Sequence, residues 1–153
     1  MATDRVAQKQ FVRSYELDPY KHVNNGAYVN WLENGREMFL RAEGRDYYSY
    51  PTELDAWFVV VNINCDFMSP ALAGEEVEVS TRLAKIGNSS VVFRQTIRRT
   101  SDNKMRARAR VVMCFADSND ESMRVPEDFR ERYTPSTEGD IWINDEGGER
   151  GKS

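Results

Sequence analysis

The residues best placed to do chemistry lie together in Glu16-Leu17-Asp18-Pro19-Tyr20-Lys21-His22-Val23-Asn24-Asn25-Gly26-Ala27-Tyr28. Asp18 stands a few residues ahead of a stretch with helical periodicity, so a carboxylate approaches a helix N-terminus. Such a terminus offers unpaired backbone N–H groups and a partial positive charge, which suit an oxyanion developing on a carbonyl. A carboxylate beside them could attack a reactive acyl group or activate water, and a thioester suits so weak a nucleophile because its thiolate leaves readily. The same residues have ordinary uses. Asp-Pro opens turns, a solitary His22 packs or caps, Asn24 and Asn25 cap helices, and Tyr28 and Trp31 fit a core. On the residues alone both readings stand.

The elements that must hold this stretch follow from periodicity. Tyr28, Trp31, Leu32, Gly35 and Phe39 recur at spacings of three and four, one face of a helix of about four turns. Asn24 or Asn25 caps its start, and Gly44 is its stop signal. Gly35 on the apolar face costs roughly 1 kcal/mol relative to Ala, which a close approach of helix to sheet would explain. Four segments alternate with period two, as half-buried antiparallel strands do. In the first, Val59, Val61, Ile63, Cys65 and Phe67 share the inward face. In the second and third, Val77, Val79, Thr81 and Leu83, then Val91, Phe93, Gln95 and Ile97, form a hairpin about Gly87-Asn88-Ser89. The fourth turns Met105, Ala107, Ala109, Val111, Met113 and Phe115 inward and Arg106, Arg108 and Arg110 outward, after the turn Ser101-Asp102-Asn103. A weaker run, Phe11 to Leu17, reads as a further strand at the start, and Pro126 to Arg132 as a short closing helix. No internal repeat is visible.

Composition bounds the rest. The chain has 153 residues, 40% hydrophobic and 11% aromatic, with a net charge of -4, which fits one domain with a real core. The longest apolar run, Trp57 to Val61, is far short of a membrane span, and Met-Ala-Thr-Asp-Arg lacks a signal peptide's apolar stretch. A soluble, cytoplasmic protein with no membrane partner is expected. Cys65 and Cys114 are the only cysteines and His22 is the only histidine, which excludes multi-Cys or multi-His zinc sites and argues against a disulfide scaffold.

Charge is unevenly spread. Residues 135–153 carry five acids against Arg150 and Lys152, a net -3; apart from Ile141-Trp142-Ile143 they have little to bury, and they read as an acidic, Gly-rich, flexible tail on a domain spanning residues 1–134. From Arg82 to Arg110, nine basic residues face one acid, Asp102, a local +8. Cross-strand pairing with acids such as Glu76 and Glu78 accounts for most of these charges; a basic rim for an anionic ligand is the sharper alternative. Nucleic acid is not expected, because aromatic interleaving, a helix-turn-helix signature and overall basicity are all missing.

One long helix after a first strand, then four antiparallel strands, is an α+β order in which a single helix covers one face of a curved five-stranded sheet. In this order, Asp18-Pro19-Tyr20-Lys21-His22-Val23, Asn24-Asn25-Gly26-Ala27-Tyr28, Trp31-Leu32-Glu33, Arg36-Glu37, Cys65-Asp66-Phe67-Met68-Ser69-Pro70 and Ser90-Val91-Val92-Phe93 resemble the hot-dog-fold thioesterases of the 4-hydroxybenzoyl-CoA thioesterase type. The resemblance runs from about Phe11 to Phe115. It implies a long central helix wrapped by a five-stranded antiparallel sheet, with Asp18 as catalytic nucleophile or general base. It also implies that the backbone N–H of Asn25 polarises the thioester carbonyl and that Tyr28 helps form the acyl pocket. His22 and Asn24 beside them, and Lys85, Ser89 and Ser90 towards the coenzyme A phosphates, are the implied substrate contacts. Lys21 and His22 stand where several relatives have Gly, so this loop is bulkier.

The resemblance further implies an acyl-CoA or acyl-carrier-protein thioester as substrate, no cofactor beyond the coenzyme A of the substrate, no metal, and a homodimer or homotetramer with the site between subunits. Two other readings compete. A hot-dog dehydratase or hydratase needs a His paired with an acid, and His22 four residues after Asp18 is not spaced for it. A non-catalytic module that binds an acyl chain or a carrier protein would use the +8 stretch without turnover.

Overall fold

The computed structural model describes residues 2–136. Its elements run in the order β1 (Arg5–Phe11), a 3-10 turn (Ser14–Glu16), α1 (Asn25–Arg41), α2 (Ser49–Leu54), β2 (Trp57–Phe67), β3 (Glu76–Ile86), β4 (Ser90–Arg99), β5 (Met105–Ala116) and α3 (Glu127–Arg132). The strands form one antiparallel sheet in the order β1-β3-β4-β5-β2, and α1 lies across the face that carries Val79, Thr81 and Gln95. This is the expected α+β architecture. The expected tail lies, from residue 137 onward, outside the described residues; the chain is still hydrogen-bonded to the body at Ser136, whose N–H donates to the Leu83 carbonyl.

The first strand differs from expectation. It ends at Phe11, and Phe11 to Leu17 instead turns inward through the 3-10 turn, because Glu16 is only 8% exposed and makes local bonds that an extended strand would forbid. The short helix α2 had no periodic signal in its six residues.

Strand β2 also departs from simple alternation. A bulge between Val60 and Asn62 inserts Val61, and an extra residue reverses the side-chain parity on either side of it. Ile63, Cys65 and Phe67 pair with Val111, Ala109 and Ala107 on the inward face as expected. Before the bulge, however, Phe58 and Val60 take that face, opposite Phe115 and Met113, and Val59 points the other way. Phe58 accordingly packs on Tyr47, Tyr50, Phe115 and Phe129.

Part of the basic stretch is neutralised by acids of the sheet and its loops. Arg99 bonds Asp102 and Glu75, Arg106 bonds Glu75, and Arg108 bonds Asp66; Glu76 instead accepts the Thr100 hydroxyl. Arg106, expected in solvent, is 3% exposed and also donates to Ser69, which ties β5 to the loop after β2.

Helix α1 meets the sheet through a buried polar seam. Gln95 donates from Nε2 to the Leu32 carbonyl and to the Thr81 hydroxyl, and its Oε1 accepts from Arg36. Gly35 sits directly above, where an added Cβ would lie 2.7 Å from Thr81 Oγ1 and 2.9 Å from Gln95 Nε2. The helix-to-sheet approach therefore excludes a side chain at this position. Gly35→Ala should lower the unfolding free energy by about 1 kcal/mol or more despite the better helix propensity of Ala, since overpacking a locked core costs about 1–3 kcal/mol; urea denaturation of the pair measures it.

Candidate active site

Five residues after the 3-10 turn build a tight loop. The Asp18 N–H donates to the His22 carbonyl at 2.7 Å and the Lys21 N–H to the Asp18 carbonyl at 3.0 Å, with Lys21 in the left-handed region at φ 63°. The Asp18 carboxylate closes the loop from inside: its Oδ1 accepts the backbone N–H groups of Tyr20 at 2.8 Å and His22 at 3.0 Å. Its other oxygen makes no hydrogen bond with the described residues. Asp18 is thus both the turn former and a half-buried carboxylate with one free oxygen.

The loop is fastened to the start of α1 by Glu16 and Asn24. Asn24 is the N-cap: its side-chain oxygen accepts the Ala27 N–H at 2.8 Å, and its amide donates to the Glu16 carbonyl at 2.9 Å. The Asn24 backbone N–H goes to the same carbonyl. Glu16 in turn accepts the Arg13 N–H through Oε1 and the Trp31 indole N–H through Oε2, both at 2.8 Å. A buried carboxylate thereby joins the loop entrance to the second turn of the helix.

With the cap taking Ala27, the N–H groups of Asn25 and Gly26 make no hydrogen bond within the described residues. They are the orphan donors of the helix terminus. Asp18, His22, Val23, Asn25, Tyr28 and the segment from Phe67 to Pro70 line one cavity of about 260 Å³. Tyr28 is a fixed wall, 3% exposed and edge-on to Trp31 and Phe67, and its hydroxyl accepts the Ala71 N–H at 2.9 Å. Burial raises its phenol above the ordinary value, so it stays protonated.

The structure therefore brings Asp18, Asn25, Tyr28 and His22 together. Asn24 is not among the lining residues; both ends of its amide serve the backbone, so it acts as the expected cap. Lys85, Ser89 and Ser90 form a separate group at the β3–β4 turn, away from this cavity within one chain. Glu16 escaped the sequence reading as a site residue; its only signal was an acid inside an otherwise apolar-flanked turn. Cys65 lies outside this lining, and burial pushes its thiol up to about 11. Among the described residues no carboxylate forms an ion pair with His22, as a His–acid dehydratase pair would require.

Residues 20–106 match the Thioesterase superfamily. The chain belongs to this family. It is 30% identical over 122 residues to the long-chain acyl-CoA thioesterase FadM of Escherichia coli, spanning 79% of this chain and 91% of that protein. A chloroplast acyl-acyl carrier protein thioesterase of Arabidopsis thaliana is 25% identical over 122 residues, 80% of this chain and 64% of that one. Among solved structures, a 4-hydroxybenzoyl-CoA thioesterase variant in complex with 4-hydroxybenzoyl-CoA superposes with TM-score 0.79 at 19% identity, covering 86% of this chain and 100% of that one. The probable thioesterase YbaW of Escherichia coli superposes with TM-score 0.73 at 28% identity over 82% and 94% of the two chains. The fold is thus the hot-dog fold of thioesterases, as expected from the motifs.

The Glu16 contacts predict a measurable coupling between loop and helix. Glu16→Ala strands the buried Trp31 indole N–H and should cost about 2 kcal/mol of stability, with a fall in turnover because the Asp18 loop loses its anchor. Glu16→Gln keeps a carbonyl oxygen and should fall between; denaturation followed by Trp fluorescence, with activity on the same samples, checks both.

Proposed function

We propose that this thioesterase hydrolyses acyl-CoA thioesters, with Asp18 as the reacting carboxylate and the N-terminus of α1 as the oxyanion site. The observation that carries the reading is the shared cavity of Asp18, with its free oxygen, and the unpaired Asn25 N–H. A thioester carbonyl seated there points its oxygen at the Asn25 N–H. Asp18 then delivers an oxygen to the carbonyl carbon, its own as a nucleophile or that of a water it deprotonates. The negative charge that develops on the carbonyl oxygen faces the helix terminus, where a fixed donor is worth roughly 3–4 kcal/mol of barrier. Collapse of the tetrahedral intermediate expels the coenzyme A thiolate, which takes up the proton lost by water; with Asp18 as base the acid is released at this step, and with Asp18 as nucleophile water then hydrolyses the acyl-Asp18 anhydride, releasing the acid and restoring the carboxylate. No metal or further cofactor enters this scheme. The FadM likeness supports coenzyme A as the thiol carrier; a carrier-protein thioester is the second substrate, favoured by the plant relative.

The enzyme works as a homodimer or a homotetramer. β2 is an edge strand whose inward residues Val60, Ile63 and Phe67 remain 41%, 38% and 48% exposed, with α1 packed on β1, β3 and β4 instead. An edge with apolar side chains and unpaired backbone groups calls for a second chain, and a second subunit would supply the missing wall of the acyl site. Lys85, Ser89 and Ser90 would then meet the coenzyme A phosphates across the interface.

Asp18→Asn tests the chemistry cleanly, since an amide oxygen still accepts the Tyr20 and His22 N–H groups. It should retain the melting temperature while thiol release from acyl-CoA falls by about 10²–10⁴; undiminished release contradicts the role of Asp18. In sedimentation the active protein should run as a dimer or tetramer, and a fully active monomer contradicts the shared site.

A further inference from the structure

A second cavity, of about 320 Å³, lies farther along α1 and is walled by Tyr48, Trp57, Phe58 and Met113, with Arg36 and Tyr47 among its lining. Its polar groups are unusual for so apolar a place. Arg36 is 1% exposed and donates to Gln95 Oε1 at 3.0 Å, yet its buried Nε has no acceptor. The buried Tyr47 hydroxyl faces the Arg36 guanidinium and finds no acceptor for its own proton among the described residues. Burial raises the Tyr47 phenol, so it remains a donor. Buried donors without acceptors are costly in a folded protein and are regularly found where a ligand oxygen completes them.

Both cavities border the inward face of β2. Val60 lines the second, Phe67 lines the cavity of Asp18, and Ile63 lies between them on the same inward, half-exposed face of β2. From Asn25 to Arg36 the helix rises about 16 Å, the span of a long acyl chain. Resting on the proposal that Asp18 and Asn25 hold the thioester, we infer that the far end of the acyl chain enters the Arg36–Tyr47 cavity and that the preferred acyl group bears a hydroxyl or keto oxygen there. A carboxylate terminus fits less well, because the exposed Glu33 also borders this cavity.

The test compares lauroyl-CoA, ω-hydroxylauroyl-CoA and the CoA thioester of the matching dicarboxylic acid. The wild type should favour the hydroxylated chain over lauroyl by roughly ten-fold or more in kcat/KM, because a site built around donors penalises the analogue that leaves them unmet. Tyr47→Phe, which removes only the hydroxyl, should shrink that ratio, and Arg36→Gln should shrink it further where the variant folds. Equal kcat/KM for the two chains, a ratio that survives Tyr47→Phe, or a preference for the dicarboxylic chain overturns the inference. Calorimetric titration with ω-hydroxylaurate and laurate keeps the two claims apart. Hydrolysis without preference sinks only this inference. If no thioester is hydrolysed the proposed reaction fails, and the specificity inference stands on tighter binding of the hydroxy acid or falls with equal binding.

Discussion

Everything at this site depends on the way one helix end is held open. A helix must leave its first N–H groups unpaired, and a cap normally satisfies part of them. Here Asn24 takes only Ala27 and spends the rest of its amide on the Glu16 carbonyl, so the donors of Asn25 and Gly26 stay available beside Asp18. Glu16 fixes the same loop from the other side through Trp31. The arrangement is rigid without using the free oxygen of Asp18, which is the condition for a carboxylate and a donor to face one carbonyl with little reorganisation.

The packing of α1 explains why the site is also incomplete in one chain. Gly35 and the Gln95 seam draw the helix down over β3 and β4, which leaves the inward face of the edge strand β2 uncovered. The bulge at Val61 keeps Phe58 and Val60 on that face together with Ile63 and Phe67. Half-exposed apolar side chains of β2 therefore stand between the cavity of Asp18 and that of Arg36. The same close approach that positions the helix terminus thus leaves this face of β2 open.

Much of this was legible in the residues. The three-and-four spacing from Tyr28 to Phe39 placed α1, and alternation placed β3, β4 and β5 with their inward sets, because each depends on short-range periodicity against one core. Gly35 pointed to the close approach that is found. Asp18, Asn25 and Tyr28 were joined through the resemblance of their motif to the thioesterases, since the residues alone left ordinary capping and packing uses open. What escaped required information from across the fold. The parity reversal in β2 arises from an inserted residue that leaves no mark in a run of valines. Arg106 becomes buried because Glu75 and Ser69, distant in sequence, meet it. Glu16 turns inward because Trp31, fifteen residues later, offers it a buried donor.

The most direct test of the account is a crystal structure of the enzyme with a non-hydrolysable ketone analogue of a long-chain acyl-CoA. The ketone oxygen should lie about 3 Å from the Asn25 N–H, with the free oxygen of Asp18 facing the carbonyl carbon. A ketone seated away from the start of α1, with Asp18 turned only to its own loop, would contradict it.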